Sequence, residues 1–240
     1  MADALLQNQL LASLPAADLD ALRPHLELVS LELAYPLIRP QEPIRHAYFP
    51  ITSLASLVVV LEDGSTVESG SVGREGMVGI PIVLGAGTTP MQTIIQIAGD
   101  AFRVEADAIK AQFERRGTLH TVLTRYIHTL FMVASQSAAC NRRHGLEARL
   151  CRWLLMSSDG VGSDAIGITQ EFLATMLGVR RAGVTEAAMK LQNQGWIAYT
   201  RGFVHLLDRA ALENAACECY HVVRQEYERL FGQALQSRAS

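Results

Sequence analysis

Residues 169–197 read TQEFLATMLGVRRAGVTEAAMKLQNQGWI. Thr169 stands where a helix could begin, with a hydroxyl able to accept a backbone N–H of the first turn. Phe172, Leu173, Met176 and Leu177 then share one helical face. Gly178 can take the positive φ that ends a helix, and Val179 can turn back into a core. A second helical pattern follows at once, with Val184, Ala188 and Leu191 as its buried stripe, Ala187 small enough for close packing and Gly195 as its stop. Two helices joined by a short glycine-bearing turn form a helix-turn-helix. The next stretch, WIAYTRGFVHLLD at 196–208, reads as strand, Arg201-Gly202 turn and strand, which adds a wing.

The charges in this stretch are unusual for a purely structural hairpin. Arg180 and Arg181 fall at the N-terminal end of the second helix, where cations oppose the helix dipole at a cost of about 0.3–1 kcal/mol. A buried hairpin with solvated arginines would share the apolar pattern, but it would be better served by Asp or Glu at that end. An external anion gives the arginines a purpose. The N-terminal end of a recognition helix enters the major groove, and arginine can grip guanine O6 and N7 with two hydrogen bonds. Lys190 and Arg201 could add phosphate contacts.

Outward from this hairpin, the chain has 240 residues, net charge −3 and a sequence pI of about 6.2. No global basicity advertises a polyanion partner, so any basic surface must be local. The start lacks the basic region of a signal peptide, and apolar runs such as LASLVVVL at 54–61 are too short to cross a bilayer. A cytoplasmic protein without membrane contact is expected. Residues 3–24 show helical spacing, with Pro15 opening a second short helix. From 25 to 104, short alternating runs (HAYFP, LASLVVVLE, STVESGSV, MQTIIQIAG, AFRVE) are separated by glycine and proline turns, EDG at 62–64 among them, which suggests a sandwich or barrel.

Helical spacing returns after Glu105, with Asp107 as a candidate cap. Residues 118–141 lack Gly and Pro, and Leu119, Leu123, Tyr126, Leu130, Val133, Ser137 and Cys140 step by alternating fours and threes. That is a heptad seam about three heptads long, expected to pair with a second copy, although an ordinary core-facing helix shows the same spacing. A further amphipathic helix covers 145–160, and DGVGSDAIG at 159–167 reads as a loop. Strands and helices are segregated, so the fold class expected is α+β.

Residues 168–220 resemble the C-terminal domain of Crp/Fnr-type bacterial transcription regulators. The residues that carry the likeness are Ile168-Thr169, Leu173-Ala174, Leu177-Gly178-Val179, Arg181, Val184-Thr185, Leu191-Gln192, Gly195-Trp196-Ile197 and Tyr199-x-Arg201-Gly202. The resemblance implies an N-terminal β-roll of the cyclic-nucleotide-binding jelly-roll type with flanking helices (1–117), a long dimerisation helix (118–142) and a winged helix-turn-helix domain (143–240). It implies a homodimer on a two-fold double-stranded DNA operator, the recognition helices roughly 34 Å apart, with RNA polymerase as a further partner. The candidate DNA-contact set is Thr169, Arg180, Arg181, Ala182, Gly183, Thr185, Glu186, Lys190 and Arg201. Ala182 and Glu186 depart from residues that read bases in some members.

The same resemblance places a cyclic-nucleotide pocket at a turn that here reads Gly76-Met77-Val78-Gly79, with Gln92-Thr93 where the family carries an Arg-Ser pair. Without that arginine the strongest partner for a cyclic phosphate is gone. A degenerate pocket, an unassigned effector and no cofactor are the expectation. A ligand-responsive module with an output other than DNA binding is the alternative.

No catalytic arrangement of nucleophile and base stands out, so no enzyme is expected. Cys217 and Cys219, two apart on the last helix, would face different directions. The seven histidines show no paired ligand spacing. No metal site is therefore expected, and the cysteines are read as reduced and structural.

Overall fold

The computed structural model describes residues 2–200 and 202–236, without the side chains of 2, 3 and 233–236. The leading segment forms three short helices, α1 (Ala2–Leu5), α2 (Gln9–Ala12) and α3 (Ala16–Leu22). The extra break falls at Asn8, whose carbonyl oxygen accepts from the Leu11 amide at 3.1 Å. Its amide nitrogen donates to the carbonyls of Pro50 and Gly76, each at 2.9 Å. A buried polar side chain must find partners, and these pin the N-terminal helices to the strands.

The strands are β1 (Glu27–Leu31), β2 (Pro36–Ile38), β3 (His46–Pro50), β4 (Leu54–Val60) and β5 (Thr66–Val72). After a short helix α4 (Ile80–Val83) come β6 (Gln92–Ile97) and β7 (Gly99–Glu105). They make two antiparallel sheets, ordered β1-β7-β3 and β2-β6-β4-β5. The turn expected at 62–64 joins β4 to β5, with Gly64 at φ +79°. Phe49, Phe102, Ile95 and Met77 fill the space between the sheets.

Helix α5 (Ala106–Glu114) starts after Glu105, which caps it without a side-chain bond. Asp107 is therefore inside the first turn, where its charge favours the dipole, and is not the cap. Helix α6 (Thr118–Arg143) is 26 residues long. Its heptad seam is turned inward: Leu119, Leu123, Tyr126, Val133, Ser137 and Cys140 are all buried within this chain, and Leu130 packs beside them. This corrects the expectation that the seam awaits a second copy, because the β-roll and the C-terminal helix already cover it. The open face carries Thr124, His128, Phe131, Ser135 and Ala138, the next stripe around the cylinder.

Helix α7 (Leu146–Val161) runs through Asp159 and Gly160, which the sequence suggests are loop. Its glycine has a packing reason. A Cβ on Gly73 would lie 2.5 Å from the Gly160 Cα, and the Arg74 amide donates to the Gly160 carbonyl at 2.8 Å. Strand β8 (Ala165–Gly167), α8 (Gln170–Leu177), α9 (Arg181–Asn193), β9 (Ile197–Thr200), β10 (Phe203–Leu206) and α10 (Arg209–Ala215) complete a winged helix-turn-helix. Its three-stranded sheet has the order β8-β10-β9. Its core borrows Leu54 and Ile97 from the β-roll, so the two units share an apolar contact.

The last helix, α11 (Glu218–Gln236), leaves that domain and lies along α6. Phe231 is buried in the N-terminal core with Leu5 and Leu123. Full burial of such a side chain contributes about 1.5–3 kcal/mol. Within the expected domain 143–240, α11 therefore packs on the N-terminal unit beyond its first turn, where Tyr220 still joins the winged domain's core.

Candidate DNA-binding surface

The helix-turn-helix assembles much as the sequence suggests. The Thr169 hydroxyl accepts from the Phe172 amide at 3.2 Å, and Gly178 ends α8 at φ +63°. Val179 packs on the domain core. The guanidinium of Arg149 on α7 donates to the Leu177 carbonyl, satisfying a group left free at the end of α8. Val184, Ala187, Ala188 and Leu191 are buried and fix the rotation of α9.

That rotation decides which candidates face outward. Arg180, Arg181, Ala182, Glu186 and Lys190 are exposed, and with Met189, 58% exposed, they form the open side of α9. Thr169 is exposed at the start of α8. Gly183 is turned the other way: a Cβ there would lie 3.2 Å from Leu146 Cδ2, so this glycine allows α9 to approach α7. Thr185 is half-buried, and its hydroxyl donates to Gln170 Oε1 at 2.7 Å. Gly183 and Thr185 thus also serve packing within the domain, while both remain half-buried. Arg201 lies outside the described residues. Gly202 takes φ +87° at the wing turn, and beside it Phe203 is 49% exposed, an apolar wing residue absent from the expected contact set.

The electrostatics are local. Arg180 occupies the N-cap of α9 without a side-chain bond, and no acid lies in the first turn. Arg181 Nη1 is 3.4 Å from Glu171 Oε2, both side chains being largely exposed. Lys190 pairs with Glu147 and stands 3.8 Å from Glu186. The hydrogen bond from Lys190 to Glu147 raises the lysine pKa above its ordinary value, so the ammonium stays charged at neutral pH. Exposed pairs of this kind are weak, so an external anion can compete with the carboxylates. Burial pushes the Tyr199 phenol on the wing up to about 12, so it stays neutral.

The expected ligand turn is closed. Met77, Val78, Gly76 and Gly79 are buried, as is Thr93, with Gln92 half-buried. A Cβ on Gly76 would collide with the Tyr126 hydroxyl, so the ring of α6 fills the space in front of the turn. A cavity of about 460 Å³ lies elsewhere, between the β-roll, α7 and α11, and is lined by Arg74, Glu75, Asp159, Arg209, Tyr220 and Tyr227 among others. Arg209 there is matched by Asp159, by Glu213 at 3.1 Å and by Asp164 at 3.6 Å. Its charge is already neutralised, which leaves little attraction for an anion.

Residues 148–215 match the Crp-like helix-turn-helix domain family. No curated protein sequence matches the chain. Among solved structures, FixK2 from Bradyrhizobium japonicum is 14% identical with a TM-score of 0.66, covering 80% of this chain and 98% of its own. A CRP-family transcriptional regulator from Thermus thermophilus is 21% identical with a TM-score of 0.63, covering 78% and 96%. The c-di-GMP-responsive global regulator CLP from Xanthomonas campestris is 15% identical with a TM-score of 0.63, covering 80% and 99%. The chain has the Crp/Fnr regulator fold, with a Crp-like helix-turn-helix domain in its C-terminal half.

Proposed function

We propose that this protein is a transcription regulator that binds double-stranded DNA as a homodimer, reading bases with the N-terminal half of α9. The observation that supports this best is the exposed row Arg180, Arg181, Ala182, Glu186 and Lys190 on a helix whose opposite face is locked into the domain core. Arg181 reads a base and Arg180 meets phosphate. Glu186 accepts from a cytosine amino group.

The partner face is the open stripe of α6. Phe131 is 73% exposed near the middle of that helix. Such a side chain offers apolar surface to a partner helix, and covering one phenyl contributes about 1.5–3 kcal/mol per subunit. The small residues Ala134, Ser135 and Ala138 around it permit close approach of a second helix.

The test is selection of bound sequences from random duplexes by the full chain without added ligand. An inverted repeat with half-sites about one helical turn apart is expected. Affinity should fall steeply with salt, as phosphate contacts release counterions. Recovery of random sequence, or binding indifferent to salt, would refute the reading.

A further inference from the structure

Three thiols and an imidazole from two distant parts of the chain meet at one point. Cys140 and His144 stand one turn apart at the C-terminal end of α6. Cys217 occupies the break between α10 and α11, and Cys219 the first turn of α11. The Cys140 and Cys217 sulfurs are 3.4 Å apart, and the Cys219 sulfur is 3.5 Å from His144 Nδ1. All four donor atoms lie within 4.8 Å of one another. The expectation that Cys217 and Cys219 diverge assumed an unbroken helix. Ala216 is extended instead, at φ −66° and ψ 153°, so both thiols reach the same side.

The spacing suits one ion. Zinc holds sulfur at about 2.3 Å and imidazole nitrogen at about 2.0–2.1 Å, so neighbouring donors of a tetrahedron stand roughly 3.5–3.8 Å apart. The Cys140–Cys217 and Cys219–His144 pairs fall near that range. An iron–sulfur cluster distributes its cysteines over separate irons, which requires sulfurs set farther apart. Simple packing of small apolar thiols does not call for an imidazole nitrogen 3.5 Å from one of the sulfurs.

The surroundings are those of a metal site. His144 turns Nδ1 to the cysteines and Nε2 to the Glu218 carboxylate at 3.2 Å. Such an outer carboxylate orients a ligating histidine and raises its basicity. Gln136 Nε2 donates to the Cys219 sulfur at 3.1 Å. The three cysteines are buried, while the His144 side chain is 21% exposed and offers a way in.

We propose that Cys140, His144, Cys217 and Cys219 form a Cys3His site for a single tetrahedral cation of the zinc class. Thiolate-rich, four-donor, closed coordination selects zinc over harder divalent ions. The ligands flank the points where the chain leaves α6 for the winged domain and returns from it, so a bound ion ties those two crossings together.

The test uses the reduced full-length protein loaded with zinc or, as a spectroscopic probe, cobalt(II), followed by gel filtration. One retained equivalent of metal is expected, with the strong visible bands of tetrahedral cobalt and a sulfur-to-cobalt charge-transfer band. Cys217→Ser and Cys140→Ser should each abolish stoichiometric retention, and Glu218→Gln should weaken it by about 10–100-fold. Cys151→Ala should retain the full equivalent. Wild-type protein that retains no stoichiometric metal, or that gives only the weak spectrum of octahedral cobalt, would overturn the proposal without recourse to any variant. So would retention by the cysteine variants equal to wild type, or a Cys140–Cys217 disulfide in a protein whose reduced form takes up no metal.

Discussion

The backbone of Gly73, at the end of β5, touches that of Gly160 in α7, with no side chain between them. The next residue, Arg74, completes the contact by donating its amide to the Gly160 carbonyl at 2.8 Å. A methyl group on Gly73 would have to displace main chain, which does not yield as a side-chain tip does. Gly73→Ala is expected to cost about 1–3 kcal/mol and to loosen the winged domain from the β-roll. Thermal unfolding should show the loss, and amide exchange should show faster opening of α7 while β3 and β7 stay protected.

Arg181→Ala should weaken operator binding by about 1–3 kcal/mol and relax preference at one base position. Glu171→Gln releases the guanidinium and removes a negative charge beside the DNA, so it should tighten binding modestly. Fluorescence anisotropy with operator and scrambled duplexes distinguishes the two. If Arg181→Ala bound both duplexes like wild type, Arg181 would not be a base reader.

Phe131→Asp places a charge on the open stripe of α6 without entering the chain's own core. Sedimentation should show a shift from dimer to monomer at low micromolar concentration, with an unchanged circular dichroism spectrum. A variant that stayed dimeric would move the partner contact to another face.

Glu68 on β5 is half-buried beside Arg152 and Trp153 of α7. Burial raises its carboxyl above the usual carboxylate range, against the opposing pull of the Ser56 hydroxyl, which donates at 2.6 Å, and of Arg152. An acid whose folded pKa is the higher one takes up protons on folding. Its destabilising contribution is absent below the unfolded value and complete above the folded one. Glu68→Gln should therefore raise the melting temperature near pH 8 and leave it almost unchanged near pH 4. An equal shift at both pH values would rule out ionisation of Glu68 as the cause.

The recognition hairpin is legible in the sequence because its signals are local. Thr169, Gly178 and the Val184-Ala188-Leu191 stripe each act within a turn or two of chain. The heptad seam misleads because spacing records that a face is covered, not by what, and here α11 and the β-roll cover it. The stretch ENAACECY at 213–220 holds neither Gly nor Pro. Its break at Ala216 follows from burial of Cys217, Cys219 and Tyr220, which only the assembled fold supplies. Asp159-Gly160 resembles a turn because proximity to Gly73 is invisible along the chain.

The return of α11 to the N-terminal core gives the chain a second crossing between the winged domain and the rest of the molecule. The chain therefore passes between the two units twice at nearly the same place, since the donor atoms of His144 and Cys217 lie within 4.8 Å of each other. The Gly73–Gly160 main-chain contact holds the domain at a separate point. Any signal that repositions α9 within one subunit must slide or break that second contact, with the paired crossings as the fixed end.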